Sequence, residues 1–237
     1  MRRPLLSLFL MVVAAATAPS AWAAPAPRPP VVVELYTAQG CSSCRKANDH
    51  LAVLAQKPGV LALIFAVDYW DYLGWPDTFA QPAFADRQKA YSRRLDVREV
   101  YTPQVIIDGR SQTGGVKAKK IDALVAEAGR NPANPPDMLF MRNGRVAVGS
   151  GPVPRSGAEV WMIRYDPQEL TVTPKRGDNR GEPVVHRNVV RQLARLGAWS
   201  GNPTLYRTPK PAEDGLKTAI LVQGARGGKI IGVLIED

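Results

Sequence analysis

The apolar run Val31-Val32-Val33-Glu34-Leu35-Tyr36 leads through Thr37-Ala38-Gln39 into Gly40-Cys41-Ser42-Ser43-Cys44, which holds the only two cysteines in the 237 residues. No other feature constrains the fold as much. An apolar run of this length suits a strand buried on both faces. Beyond it, Cys44, Ala47, Leu51 and Leu54 recur at helical spacing until Pro58-Gly59 stops the pattern. A Cys-x-x-Cys pair at a strand-to-helix junction is where thiol redox proteins place a reactive thiolate, because unpaired N–H groups and the positive helix end lower the thiol pKa. One pair also excludes a scaffold of several bridges.

Two readings of the pair stay open. In the first, Cys41 is the attacking sulfur and Cys44, one turn on, the resolving sulfur. In the second, a local disulfide pins the turn; closing so short a loop restricts the unfolded chain only modestly. Zinc is a poor fit, since His50 and His186 would both have to be recruited to complete the ligand set. No metal or cofactor is expected.

The chain opens with Arg2-Arg3, the apolar stretch from Leu5 to Ala18 and the small-residue pattern Ala21-Trp22-Ala23. This reads as a secretory signal over residues 1–23, with an uncleaved anchor as the rival. The expected location is periplasmic or secreted, with no integral membrane segment after cleavage. In such a compartment a disulfide persists. The formal charge is +10, from 31 Lys+Arg and 21 Asp+Glu; loss of Arg2 and Arg3 leaves 29 against 21, or +8. A scattered excess of this kind fits solubility or an acidic envelope surface, and with no nucleic-acid motif beside it, nucleic acid is not an expected partner.

Residues 24–30 form a Pro-rich lead. Beyond the first helix, Val60–Val67 reads as a second buried strand, Ala85–Leu95 as a helix and Gln104–Ile107 as a third strand ended by an Asp108-Gly109 turn. Val116, Ile121, Leu124 and Val125 mark a further helix. This order predicts an α/β unit with a parallel core over residues 31–130. Residues 131–137 read as a linker. From 138 to 237 short strand candidates recur at 138–148, 159–165, 169–174, 184–192 and 218–236, with hairpin turns at Arg142-Asn143-Gly144 and Arg226-Gly227-Gly228. That predicts a β-rich, mainly antiparallel second domain, although Val189–Leu196 also fits a helical face.

Other candidate residues are fewer. Glu34, an acid inside an apolar strand, fits either a proton carrier for the resolving thiol or a partner for Lys or Arg. Asp68 and Asp71 follow a buried strand and fit either proton relay or turn capping. Four aromatic residues stand between Tyr69 and Trp75 in a long connection. Pro103 cannot donate to a ladder, so its place is at the start of a strand, beside an opening.

Taken together, VVVELYTAQGCSSC, VDYWDYLGWPDTFA, RQKAY, YTPQVIIDG and RGEPVVHRNVVRQL resemble the bacterial exported thioredoxin-like family catalogued as domain of unknown function 1223, over about residues 31 to 237. The resemblance implies a thioredoxin-like domain followed by a β-rich extension. It implies that Pro103 is a cis-proline facing Cys41 and Cys44 across a groove, and that Thr102, beside Tyr101, presents backbone groups to an extended peptide. It also matches Asp68, Tyr69, Trp70 and Asp71 to an aromatic, acidic loop. Two positions depart from the family pattern: Ala66 stands where His is usual, and Arg45-Lys46 where the dithiol is usually followed by Pro-Pro. The first departure removes a proton carrier or ligand; the second leaves dithiol exchange intact. The expected partners are a protein or peptide thiol or disulfide and a redox-recycling protein. The rival expectation is a module that binds a peptide or envelope component and keeps its disulfide closed.

Overall fold

The computed structural model describes residues 28–236, so the expected signal segment 1–23 and residues 24–27 of the Pro-rich lead lie outside the described residues. The strands are β1 (Val31–Thr37), β2 (Val60–Ala66), β3 (Gln104–Ile107), β4 (Ser111–Gly114), β5 (Met138–Met141), β6 (Arg145–Val148), β7 (Ala158–Val172), β8 (Val184–Trp199), β9 (Thr204–Arg207), β10 (Lys217–Gly224) and β11 (Ile230–Ile235). The helices are α1 (Cys44–Leu54), α2 (Pro82–Arg94) and α3 (Ala118–Arg130), with a 3-10 turn at Asp71–Leu73.

Eight strands form one mixed sheet in the order β11-β10-β7-β8-β2-β1-β3-β4, and β5-β6-β9 form a second, smaller sheet. The expected α/β class, a thioredoxin-like domain followed by a β-rich one, is therefore corrected: the described chain is mostly β, with three helices serving one large sheet. The parallel core is also narrower than expected. β1 pairs with β2 and β2 with β8 in parallel, but β3 runs antiparallel to β1. Apolar periodicity reports burial, not strand direction, so the sequence pattern could not separate these arrangements.

β8 is the strand that extends the sheet. It pairs along most of its length with β7 and meets β2 at Ile64 and Val189, where the Asn188 side-chain amide donates to the Ala62 carbonyl at 2.8 Å. Val189–Leu196 is thus strand, not helix; the register shifts along β7–β8 disturb the period-of-two pattern that would have identified it. The same irregularity explains why 159–165 and 169–174 read as two strands. They are one, interrupted by a shift between Asp166 and Glu169 that accommodates Pro167.

Local turn chemistry is as the sequence demands. Asp108 and Gly109 have φ of 48° and 61°, Asn143 and Gly144 68° and 63°, and Arg226 and Gly227 56° and 72°, the left-handed pairs of tight hairpins. Two of these turns pack together: a Cβ on Gly109 would stand 2.5 Å from the Gly228 carbonyl oxygen, so only glycine fits there.

β1 is buried throughout and divides the core between its two faces. Val33 and Leu35 pack with Leu51 and Leu54 of α1 and Ile121 of α3. Val32 and Tyr36 pack with Phe65, Phe84 and Tyr91, which brings α2 to the other face. A third cluster, with Val146, Val148, Trp199 and Ile220, joins the small sheet to the large one.

Glu34 lies on the α2 face, 1% exposed. Arg87 grips its carboxylate with Nε and Nη2, each at 2.9 Å, while the Tyr36 and Tyr91 hydroxyls donate to it at 2.9 and 2.7 Å. Gln223 of β10 donates to the Tyr91 hydroxyl at 2.9 Å, tying the cluster to the far part of the sheet. A buried charge stripped of its partner costs about 3 to 5 kcal/mol. Arg87→Met is expected to lower stability by about 3 kcal/mol in chemical denaturation, and Glu34→Gln in the Arg87→Met background to recover part of that loss. Additive losses would show that the two side chains do not act as a pair.

Candidate functional site

β1 ends at Thr37, and the chain turns through Ala38-Gln39-Gly40 into the cysteines. Cys41 lies in the turn ahead of α1, and Cys44 is the first helical residue; the Cys44 N–H donates to the Cys41 carbonyl at 3.1 Å. The two cysteines form a disulfide with Cα atoms 5.4 Å apart. Both are buried, Cys41 at 1% and Cys44 at 0% exposure. Two hydroxyls touch Cys41 Sγ: Thr102 Oγ1 donates to it at 3.5 Å, and Ser43 Oγ lies at 3.6 Å.

The Thr102–Pro103 peptide bond is cis. Pro103 closes against the segment after β4: its carbonyl accepts the Gly115 N–H at 2.8 Å, and a Cβ on Gly115 would stand 2.7 Å from Pro103 Cβ and 2.9 Å from Ala47 Cβ. Glycine at 115 is what lets this segment pass between α1 and the proline.

The aromatic connection covers the same face. Trp70 Nε1 donates to Thr102 Oγ1 at 2.7 Å, so indole, hydroxyl and sulfur form one chain. Tyr72, 78% exposed, stacks on Trp70 with ring centroids 6.4 Å apart and presents a bare aromatic face. The Tyr69 hydroxyl donates to Gln88 at 3.1 Å, and burial pushes its pKa up to about 12. Gln88 in turn donates to the Tyr101 carbonyl and to Gln104, both at 2.9 Å, while the Tyr101 hydroxyl donates to Gln112 at 2.6 Å. Asp68 accepts the Asp71 N–H through its backbone carbonyl, and the Asp71 carboxylate accepts the Asp77 N–H at 3.0 Å. The Asp71 carboxylate thus shapes the turn, to which Asp68 contributes its backbone carbonyl.

The structure therefore gathers Cys41, Cys44, Thr102, Pro103 and Trp70 at one place. Glu34 is bonded elsewhere: its carboxylate accepts from Arg87, Tyr36 and Tyr91, and neither cysteine is among its hydrogen-bond partners. His50 faces Asp122 at 3.4 Å, and His186 packs edge-on against Phe79. Among the described residues no group of three or more His, Cys, Asp or Glu side chains could hold a metal ion. No described helix is long and apolar enough to cross a membrane.

Gln39 and Asp77 carry contacts that sequence reasoning missed. Gln39 donates its N–H to Asp77 Oδ2 at 2.7 Å and its amide to Thr78 at 2.8 Å, while its amide oxygen accepts Trp75 Nε1 at 2.9 Å. Position alone, just before the cysteines, was the available signal. Burial pushes the Asp77 carboxyl up from 3.8 to about 6, against the backbone N–H bonds that favour its charged form. Burial pushes His186 down from 6.5 to about 4, against the Val184 and Leu170 backbone groups that favour its charged form.

These two groups oppose each other in acid. Between about pH 4 and 6 the folded state binds the Asp77 proton more tightly than the unfolded chain does, so this group makes stability fall as pH rises. Over about pH 4 to 6.5 the unfolded chain binds the His186 proton more tightly, so this group makes stability rise with pH. Asp77→Asn is expected to steepen the gain in stability from pH 4.5 to 6.5 by roughly 1 to 2 kcal/mol, and His186→Phe to flatten it by a similar amount. Urea midpoints at the two pH values measure both; slopes unchanged from the parent chain would remove the assignment.

A family model described as protein of unknown function (DUF1223) matches residues 32–223. Among solved structures, one from Agrobacterium tumefaciens is similar at 31% identity with a TM-score of 0.70, covering 88% of this chain and 94% of that one. HBP35 of Porphyromonas gingivalis, at 11% identity and a TM-score of 0.58 over 88% of this chain and 75% of its own, is similar in fold alone. No curated protein matches the chain.

Proposed function

The chain belongs to the DUF1223 family of proteins of unknown function, and from that premise we propose that it is an exported thiol-disulfide oxidoreductase acting through Cys41 and Cys44. The observation that carries the reading is the Thr102 hydroxyl set against Cys41 Sγ at 3.5 Å, at the end of a wholly buried strand. A hydroxyl donor at sulfur favours thiolate over thiol, which lowers the pKa of the attacking group. The N–H groups at the start of α1 add to this in the reduced protein.

In the reduced state the Cys41 thiolate attacks one sulfur of a substrate disulfide. That bond breaks, one substrate thiolate leaves, and Cys41 is joined to the other substrate sulfur. The Cys44 thiolate then attacks Cys41 Sγ, releases the second substrate thiolate and closes the Cys41–Cys44 disulfide. Two electrons pass to the substrate. Run in reverse, the same steps oxidise a substrate dithiol, and the difference in potential sets the direction. A dithiol or disulfide protein in the same compartment restores the starting state. The exposed Tyr72 ring, stacked on the Trp70 whose indole holds Thr102, supplies an aromatic landing face for the substrate chain.

Burial favours a second reading. With Cys41 at 1% exposure, a closed disulfide in a peptide- or envelope-binding module fits the oxidised state equally well. Turnover at so buried a sulfur requires the side chains set against it, Ser43 and Thr102, to give way to the substrate.

Cys44→Ala leaves Cys41 without its resolving partner, so envelope extracts treated with this variant are expected to yield mixed disulfides that reductant releases and that Cys41→Ala abolishes. Absence of such adducts, together with a Cys41–Cys44 potential below about −300 mV, would leave the structural-disulfide module as the function.

A further inference from the structure

The loop joining β7 to β8, residues 173–183, reaches the cysteine turn from β8, which stands two places from β1 in the sheet. Asn179, 2% exposed, donates its Nδ2 amide to the Gln39 carbonyl at 2.8 Å and to the Cys41 carbonyl at 2.9 Å. The Asp178 N–H donates to the Gly40 carbonyl at 3.2 Å. Three consecutive carbonyls of the turn are thereby held by two consecutive residues of a loop more than a hundred positions away. Gly177 makes the approach possible: its φ is +81°, and a Cβ there would stand 3.3 Å from Gly40 Cα. At the rim Ser42 meets Asp178 and Arg45 meets Glu182, each at 3.4 Å, contacts too exposed to hold the loop by themselves.

We propose that Asn179 is a positioning residue of the dithiol and that the 173–183 loop is a backbone clamp setting the Cys41–Cys44 equilibrium between disulfide and dithiol. The physical basis is twofold. A side chain that holds both the Gln39 and Cys41 carbonyls restricts the turn to conformers in which the two sulfurs can meet, so ring closure loses less entropy. The same amide also draws on the Cys41 carbonyl alongside the Cys44 N–H, which weakens that carbonyl's negative field on a Cys41 thiolate. This lowers the thiol pKa, which favours the reduced form and opposes the first effect, and it is the smaller of the two.

The inference rests on reading Cys41–Cys44 as an exchanging pair, but its test needs no protein substrate. The full chain is equilibrated with reduced and oxidised glutathione, and the dithiol fraction is read by alkylation and mass. Asn179→Ala, which removes both side-chain bonds, is expected to shift the equilibrium about tenfold towards the dithiol. It is also expected to move the pH profile of Cys41 alkylation to higher pH. Gly177→Ala keeps Asn179 but strains the loop and presses it off Gly40, and is expected to move both readouts in the same direction. It serves in addition as the second test if Asn179→Ala does not fold.

Equilibria and pH profiles of the folded variants that stay within twofold of the parent would overturn the clamp. If the variants shift while Cys44→Ala traps no partner, the clamp stands and the exchange reading falls.

Discussion

A carboxylate cannot lie unpaired beneath a strand that is buried along its whole length, and Glu34 is such a carboxylate. Its requirement for a cation and for hydroxyl donors brings Arg87 and Tyr91 of α2 over β1, with Tyr36 beside them. The guanidinium stands in turn against the rings of Phe65, Tyr91 and Trp161 at 5.8, 5.2 and 5.4 Å, so one charge couples β2, α2 and β7. Gln223 extends the coupling to β10. The pair contributes little net energy compared with an apolar substitute; its effect is to leave one arrangement of these elements in which no charge is stranded.

That arrangement delivers the end of β1 to a fixed place, and the disulfide stands there. Everything around Cys41 is held from several directions: Thr102 and Trp70 from the face before β3, Asp77 and Trp75 through Gln39, and Asn179 through the carbonyls. A turn of small residues has little stiffness of its own. Here its stiffness is supplied by neighbours, so the chemistry of the cysteines is tied to the stability of the loops.

Much of this was legible in the chain. The β1-to-α1 junction, the buried face of α1 through Ala47, Leu51 and Leu54, the extent of β3 and the left-handed hairpin turns all follow from local rules of periodicity and turn chemistry. The placement of Thr102 and Pro103 beside the cysteines followed from resemblance, not from the residues themselves. The antiparallel β3, the long β8 and the short β9 were not legible, because strand direction and bulged register depend on partners remote in sequence.

By itself the sequence determined which segments must be buried, where the chain must turn and that one dithiol stands where a strand meets a helix, because these depend on side-chain polarity and backbone freedom over a few residues. Only the tertiary structure decided that Glu34 belongs to Arg87 and not to the cysteines, that both halves of the chain contribute strands to one sheet, and that Asn179 closes on the carbonyls of Gln39 and Cys41. Each of those is a pairing of buried polar or backbone groups across long stretches of chain. Such pairings are selected by the cost of leaving a group unpaired once the fold has closed, and that cost does not exist until water has been excluded.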